Sequence, residues 1–135
     1  MYIFSKSEKT KKRVFISFHI EDRHAKELLV AQSKSDKFDL EFINYAVNEP
    51  FDEKWKTNCK ERIKQASITI CLIGAETSKR DAVIWEIETS YALGKKVFAI
   101  RIHRDKQHTI PKPIIENKSK IINWNIDDIV TELEK

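Results

Sequence analysis

The chain has 135 residues, 41% apolar and 10% aromatic, enough for one domain with a full hydrophobic core and too balanced for a disordered segment. Its 25 basic and 21 acidic residues leave a net charge of +4. They are spread along the chain, and the densest basic run, Lys9 to Arg13, reads as a solvated lead-in, so no nucleic-acid partner is expected. No apolar run approaches the roughly 18 residues of a membrane span, and the first residues lack the long apolar region of a secretory leader. Two cysteines, Cys59 and Cys71, do not make a disulfide framework, so neither a membrane nor an oxidising compartment is expected, and a cytoplasmic location follows.

Residues 1–12 read as a loose arm. Val14 to Phe18 is a first strand, and Glu21-Asp22 then supplies the negative charge that a helix start favours. Ala25, Leu28, Leu29 and Gln32 mark one side of that helix, an apolar stripe at helical spacing. After a polar turn over Ser33 to Lys37, Phe38 to Tyr45 alternates as a strand with one wet face does, at a sheet edge. A loop over Ala46 to Phe51 contains Pro50. A helix from about Asp52 to Ala66 buries Trp55, Cys59, Ile63 and Ala66.

Ser67 to Ile73 is a nearly unbroken apolar, β-branched run, the pattern of a strand buried on both faces. A helix from about Asp81 to Leu93 follows, closed by Gly94, which accepts the left-handed C′ position. Val97 to Ile100 is the next buried strand. His103 to Lys118, with Pro111 and Pro113, reads as a long loop with room for a short turn. Ile121 to Trp124 is a last short strand. Asn125 caps a final helix with Ile126, Ile129, Val130 and Leu133 on one face.

Strands alternating with helices through short connections predict an α/β fold. The expected form is a flavodoxin-like open parallel sheet of five strands, order 2-1-3-4-5, with helices on both faces. Ligands of such sheets bind outside the carboxyl ends of the strands, beside the first strand. That crevice would gather Phe18 to Arg23, Asn44 to Phe51 and Gly74 to Glu86.

Several chemistries lack their residues. Two glycines cannot make a glycine-rich dinucleotide turn or a P-loop. A phosphoacceptor aspartate is missing where the third strand ends in Ile73-Gly74. The four histidines are scattered, so no metal is expected, and Ser17 has no nucleophile elbow. What remains is one helical carboxylate, Glu86, in Ile84-Trp85-Glu86-Ile87-Glu88. On position alone it reads as a solvated residue favoured by the helix dipole.

Val14-Phe15-Ile16-Ser17-Phe18-His19-Ile20-Glu21-Asp22-Arg23 resembles the opening box of TIR domains. Leu72-Ile73-Gly74-Ala75-Glu76-Thr77, followed by Val83-Ile84-Trp85-Glu86-Ile87, resembles the bacterial TIR-like branch that includes the Thoeris antiphage proteins. The resemblance runs from Arg13 to Lys135 and implies a single TIR-like domain over 13–135. It implies an enzyme that cleaves NAD at the nicotinamide–ribose bond, with Glu86 catalytic. It places Phe18, His19 and Ile20 in the nucleotide pocket and lets the loop from Asn44 contribute to the site. NAD would be substrate, with no cofactor, and a separate effector protein would sense the nucleotide product. Homotypic TIR contacts also leave a homo-oligomer open. His19-Ile20 departs from the basic or glycine-containing turn of many members, and Ala82 from an aromatic found in some.

One carboxylate suffices for that chemistry. Nicotinamide leaves neutral from a cationic pyridinium, so no general acid is needed, while a fixed negative charge stabilises the oxocarbenium character of the ribose. The other readings stay open: Trp85 stacks on a base or packs in the core, His19 contacts nucleotide or is a polar loop residue, and Arg23 pairs with a phosphate or a surface acid. Glu88 points away from Glu86. Cys59 and Cys71 read as inert packing. Two further functions fit the same fold: a non-enzymatic TIR scaffold, and a nucleoside deoxyribosyltransferase-like enzyme.

Overall fold

The computed structural model describes residues 12–32, 38–42 and 53–135, the strand at 38–42 as backbone. The expected architecture of a parallel sheet flanked by helices is present. The strands are β1 (Lys12–Ser17), β2 (Phe38–Phe42), β3 (Ile68–Ile73), β4 (Lys96–Arg101) and β5 (Lys120–Asn123). They lie in the order β2-β1-β3-β4-β5, and every pairing is parallel. Ser17 pairs with Cys71, Ile73 with Arg101, and Arg101 with Asn123. These residues mark the carboxyl edge of the sheet.

Among the described residues five α-helices cover the two faces: α1 (Arg23–Gln32), α2 (Glu53–Gln65), α3 (Asp81–Ala92), α4 (Lys112–Glu116) and α5 (Ile126–Glu134). Strand residues alternate between faces. Val14, Ile16, Ile70, Leu72, Phe98 and Ile100 pack with Ala25 and Leu29 of α1 and Ile129 and Leu133 of α5. On the opposite face Phe15 packs with Trp55, Cys59 and Ile63 of α2. Cys71, Ile73, Val97 and Ala99 there meet Val83 and Ile87 of α3 and Ile114 of α4. All six residues of β3 are buried, which is why its sequence is continuously apolar rather than alternating.

Local signals act where expected. Gly94 has φ +74° and ends α3 in the left-handed conformation that a β-carbon disfavours. Asn125 Oδ1 accepts the backbone N–H of Asp128 at 3.1 Å and caps α5.

Four expectations are corrected. A 3-10 turn at Ile20–Asp22 takes up the acidic pair, so α1 begins only at Arg23. Leu28 is 46% exposed and Gln32 is exposed too. Ala25 and Leu29, four residues apart, already fill the inner side of α1, and Leu28 is turned about 80° off the direction midway between them. The proposed loop 103–118 contains α4, because Pro113 falls in its first turn, where a missing N–H costs nothing. Ile114, fully buried, docks that short helix. The lead-in also ends earlier than expected, since Lys12 belongs to β1. The loop Ala46 to Phe51 lies outside the described residues, as does the end of the second strand past Phe42.

Candidate functional site

The connection from β3 to α3 passes through Gly74, where a β-carbon would stand 2.4 Å from Asp22 Oδ2. Only a residue without a side chain lets the carboxylate of Asp22 approach the backbone there. Thr77 fixes the turn: its Oγ1 accepts the Gly74 N–H at 2.8 Å and lies 3.5 Å from Asp22 Oδ2. Burial holds the Asp22 carboxyl above its usual range, against the opposing pull of His19, His103, His24 and the Thr77 bond.

Helix α3 is pinned to β3 by a buried hydroxyl pair. Ser90 Oγ donates to the Glu86 carbonyl at 2.8 Å, so the 2.8 Å contact between Thr69 and Ser90 must carry the Thr69 proton. This pair fixes the height of Glu86 above the sheet. The Glu86 side chain then reaches the carboxyl end of β1, where Ser17 Oγ donates to Oε1 at 2.6 Å. From α2, Cys59 Sγ donates to Oε2 at 3.5 Å. Burial pushes the Cys59 thiol up to about 12, despite Arg62, so it remains a protonated donor.

Glu86 is 1% exposed. The expectation that it faces an open crevice is therefore corrected: it lies at the expected edge of the sheet but is enclosed by protein. Among the described residues no cation lowers its pKa. Burial raises it from 4.5 to about 8, with only the Ser17 bond opposing the shift. At neutral pH the resting side chain is a neutral acid, which avoids the penalty of an unpaired buried charge.

Trp85, beside Glu86 in the sequence, is half-buried and meets Trp55 of α2 edge to face, centroids 5.5 Å apart. Its surroundings here are protein. Phe18 is 2% exposed and packs in the α1/α5 core, with Lys26 Nζ 5.8 Å from its ring centroid. It lies on the opposite sheet face from Glu86. His19 has an imidazole 11% exposed and 3.4 Å from Glu21. The contact is one of ion-pair distance without hydrogen-bond geometry, so the buried Nε2 makes no hydrogen bond. Ile20 is half-buried at the start of the 3-10 turn. Asn44 lies outside the described residues. Arg23 and Glu88 are exposed.

Sequence reasoning passed over Ser17, Cys59 and Trp55. Ser17 stands within the quoted opening box and could have been linked to Glu86 by its place at the end of a strand. Nothing in the spacing of Cys59 or Trp55 could have done so. Among the described residues no group of three or more His, Cys, Asp or Glu side chains is placed to hold a metal ion.

With this geometry, residues 15–107 match the family described as the Thoeris protein ThsB, TIR-like domain. The chain belongs to that family. No curated protein matches the chain. Among solved structures, this TIR-like domain is similar to a conserved protein from Enterococcus faecalis V583, with TM-score 0.69, 15% identity, and 92% of this chain and 98% of the other covered. It is similar to the CMP N-glycosidase BcmB of Clostridium botulinum, with TM-score 0.58, 17% identity and 91% and 98% covered. The TIR domain of the Toll-related receptor TRR-2 of Hydra magnipapillata gives TM-score 0.56, 16% identity and 87% and 88% covered. At these identities the likeness is one of fold. Among the described residues no helix is long and apolar enough to cross a membrane.

Proposed function

We propose that this TIR-like domain is an NAD glycohydrolase or cyclase in which Glu86 is the catalytic carboxylate. The observation that carries the reading is a buried carboxyl with no counter-ion among the described residues, held by Ser17 at the carboxyl end of β1. Such an arrangement costs stability, and perturbed carboxyls of this kind concentrate at functional sites. Membership of the Thoeris TIR-like family supports the same assignment.

Because Glu86 is enclosed, catalysis includes a conformational step that opens a path to its side chain. A nicotinamide riboside brings a positive pyridinium beside the acid, and a nearby cation favours the ionised form. The carboxylate then faces the anomeric carbon. The C–N bond breaks, its electron pair leaves with neutral nicotinamide, and the positive ribose is stabilised by the fixed negative charge. Water as acceptor gives ADP-ribose plus a proton. A nucleophile of the same molecule gives a cyclic isomer, and a cyclic product is our reading for a signal passed to a separate effector protein in antiphage defence. NAD is the substrate, no further cofactor takes part, and the setting is the cytoplasm, without nucleic acid or membrane. His19, Ile20, Asn44 and Trp85 are proposed to contact the nucleotide once the site opens, with Phe18 supporting that pocket from behind. A homo-oligomer is compatible with this scheme.

The shared fold with a CMP N-glycosidase favours a second reading, hydrolysis of a pyrimidine nucleoside monophosphate by the same carboxylate. One experiment separates the two. The protein and Glu86→Gln are incubated with NAD, CMP and a deoxynucleoside plus free base, and products are resolved by chromatography. Nicotinamide release lost in Glu86→Gln supports the first reading. Cytosine release from CMP supports the second, and base exchange indicates a deoxyribosyltransferase. No turnover of any of them favours a scaffold acting by homotypic contact.

A further inference from the structure

A groove of about 200 Å³ opens on the α1/α5 side of the carboxyl edge, lined by His24, Leu28, Ile102, His103, Arg104 and Trp124 among others. Three elements build it: α1, the turn after β4, and the residue after β5. Its walls fall into two kinds. Leu28, exposed on α1, and Ile102 give apolar surface, while Trp124 gives an aromatic ring. His24, His103 and Arg104 give polar and cationic groups at the rim. The indole N–H of Trp124 is already donated to Gln32 at 3.2 Å, which fixes the ring and leaves stacking as its means of binding. Asp22, the acid that His24 and His103 face, is turned onto Gly74 and Thr77.

We propose that this groove is a second ligand site, for a planar aromatic group carrying an anion, of the nucleoside monophosphate kind. Aromatic stacking and apolar surface select a flat ring, and the fork of Arg104 beside two imidazoles selects a phosphate or comparable anion. A site for a drug-sized ligand spans about 300–1,000 Å³. This smaller volume suits one base with its sugar. The groove lies across the sheet from Glu86: Ile102 and Trp124 pack against the α1/α5 core, whereas Glu86 reaches Ser17 and Cys59 on the other face. Occupancy therefore requires nothing of the proposed catalytic group.

The test follows the Trp124 indole N–H resonance of the full-length ¹⁵N-labelled protein, assigned with Trp124→Phe, during titration with AMP, adenosine and inorganic phosphate. AMP is expected to shift it saturably, with adenosine and phosphate each weaker by about tenfold or more. Arg104→Ala is expected to weaken AMP by about tenfold, and Leu28→Asp to remove the shift. Both substitutions fall on exposed side chains and leave the core intact. Glu86→Gln should bind AMP as the unaltered protein does. No saturable shift overturns the proposal. So do equal affinity for adenosine, which removes the rim's role, or for phosphate, which removes the ring's. Loss of binding in Glu86→Gln overturns the separation of the two sites. Absence of NAD cleavage leaves these outcomes unaffected.

Discussion

Ser17 Oγ stands 2.6 Å from Glu86 Oε1, and both residues are almost fully buried. A strand end is thereby tied to a helix that begins 64 residues later, at Asp81, and among the described residues this bond alone favours the charged form of the acid. Ser17→Ala should therefore raise the Glu86 pKa further and leave Oε1 without its hydroxyl donor. A loss of about 1–3 kcal/mol in unfolding free energy at pH 6 is expected, with the Glu86 carboxyl titrating at higher pH by carbon NMR. An unchanged titration would mean that the bond does not set the ionisation.

Stability should depend on pH through Glu86. Its folded pKa, about 8, lies above the unfolded value of 4.5. The folded state thus holds the proton more tightly, and the contribution is fully present below pH 4.5. It is lost as pH rises toward 8, the slope being set by the extra proton bound when folded. The loss between pH 5 and pH 8 is on the order of 3 kcal/mol. Urea unfolding of Glu86→Gln across that range should show a markedly flatter profile than the unaltered protein.

Gly74 and Asp22 form a tight contact, since a β-carbon at residue 74 would meet Asp22 Oδ2 at 2.4 Å. Gly74→Ala should cost about 1–3 kcal/mol through this overpacking. In an Asp22→Ala background the same change should cost distinctly less, a coupling that a double-mutant cycle measures directly.

Asn125 caps α5, whose Ile129 and Leu133 lock one side of the sheet. Asn125→Ala should lower stability by about 1 kcal/mol, and Asn125→Asp by much less, because aspartate caps nearly as well. Thermal unfolding of the three proteins gives the comparison.

Elements whose signal is local were legible in the sequence. The unbroken run of β3 announced a strand buried on both faces, Gly94 the end of α3, and Asn125 the start of α5. Signals that depend on distant packing were not. Leu28 reads as core by its spacing, but the inner face of α1 is already filled by Ala25 and Leu29. Pro111 and Pro113 read as breakers, although the first turn of a helix accepts proline and Ile114 has a core slot to fill. The place of Glu86 on α3 could be read from the chain; its enclosure could not. The donors on its two oxygens come from residues 69 and 27 positions away, and no periodicity connects them.

The pH dependence of kcat/KM for nicotinamide release from NAD tests the central claim most directly, since it reports the ionisation of the free enzyme's essential group. If the Glu86 carboxylate is that group, log(kcat/KM) should climb by about one per pH unit from pH 5.5 and level off near pH 8, where the free acid titrates. Glu86→Gln should show no turnover at any pH. A flat or falling profile in the unaltered protein, or release that survives in Glu86→Gln, would contradict the assignment.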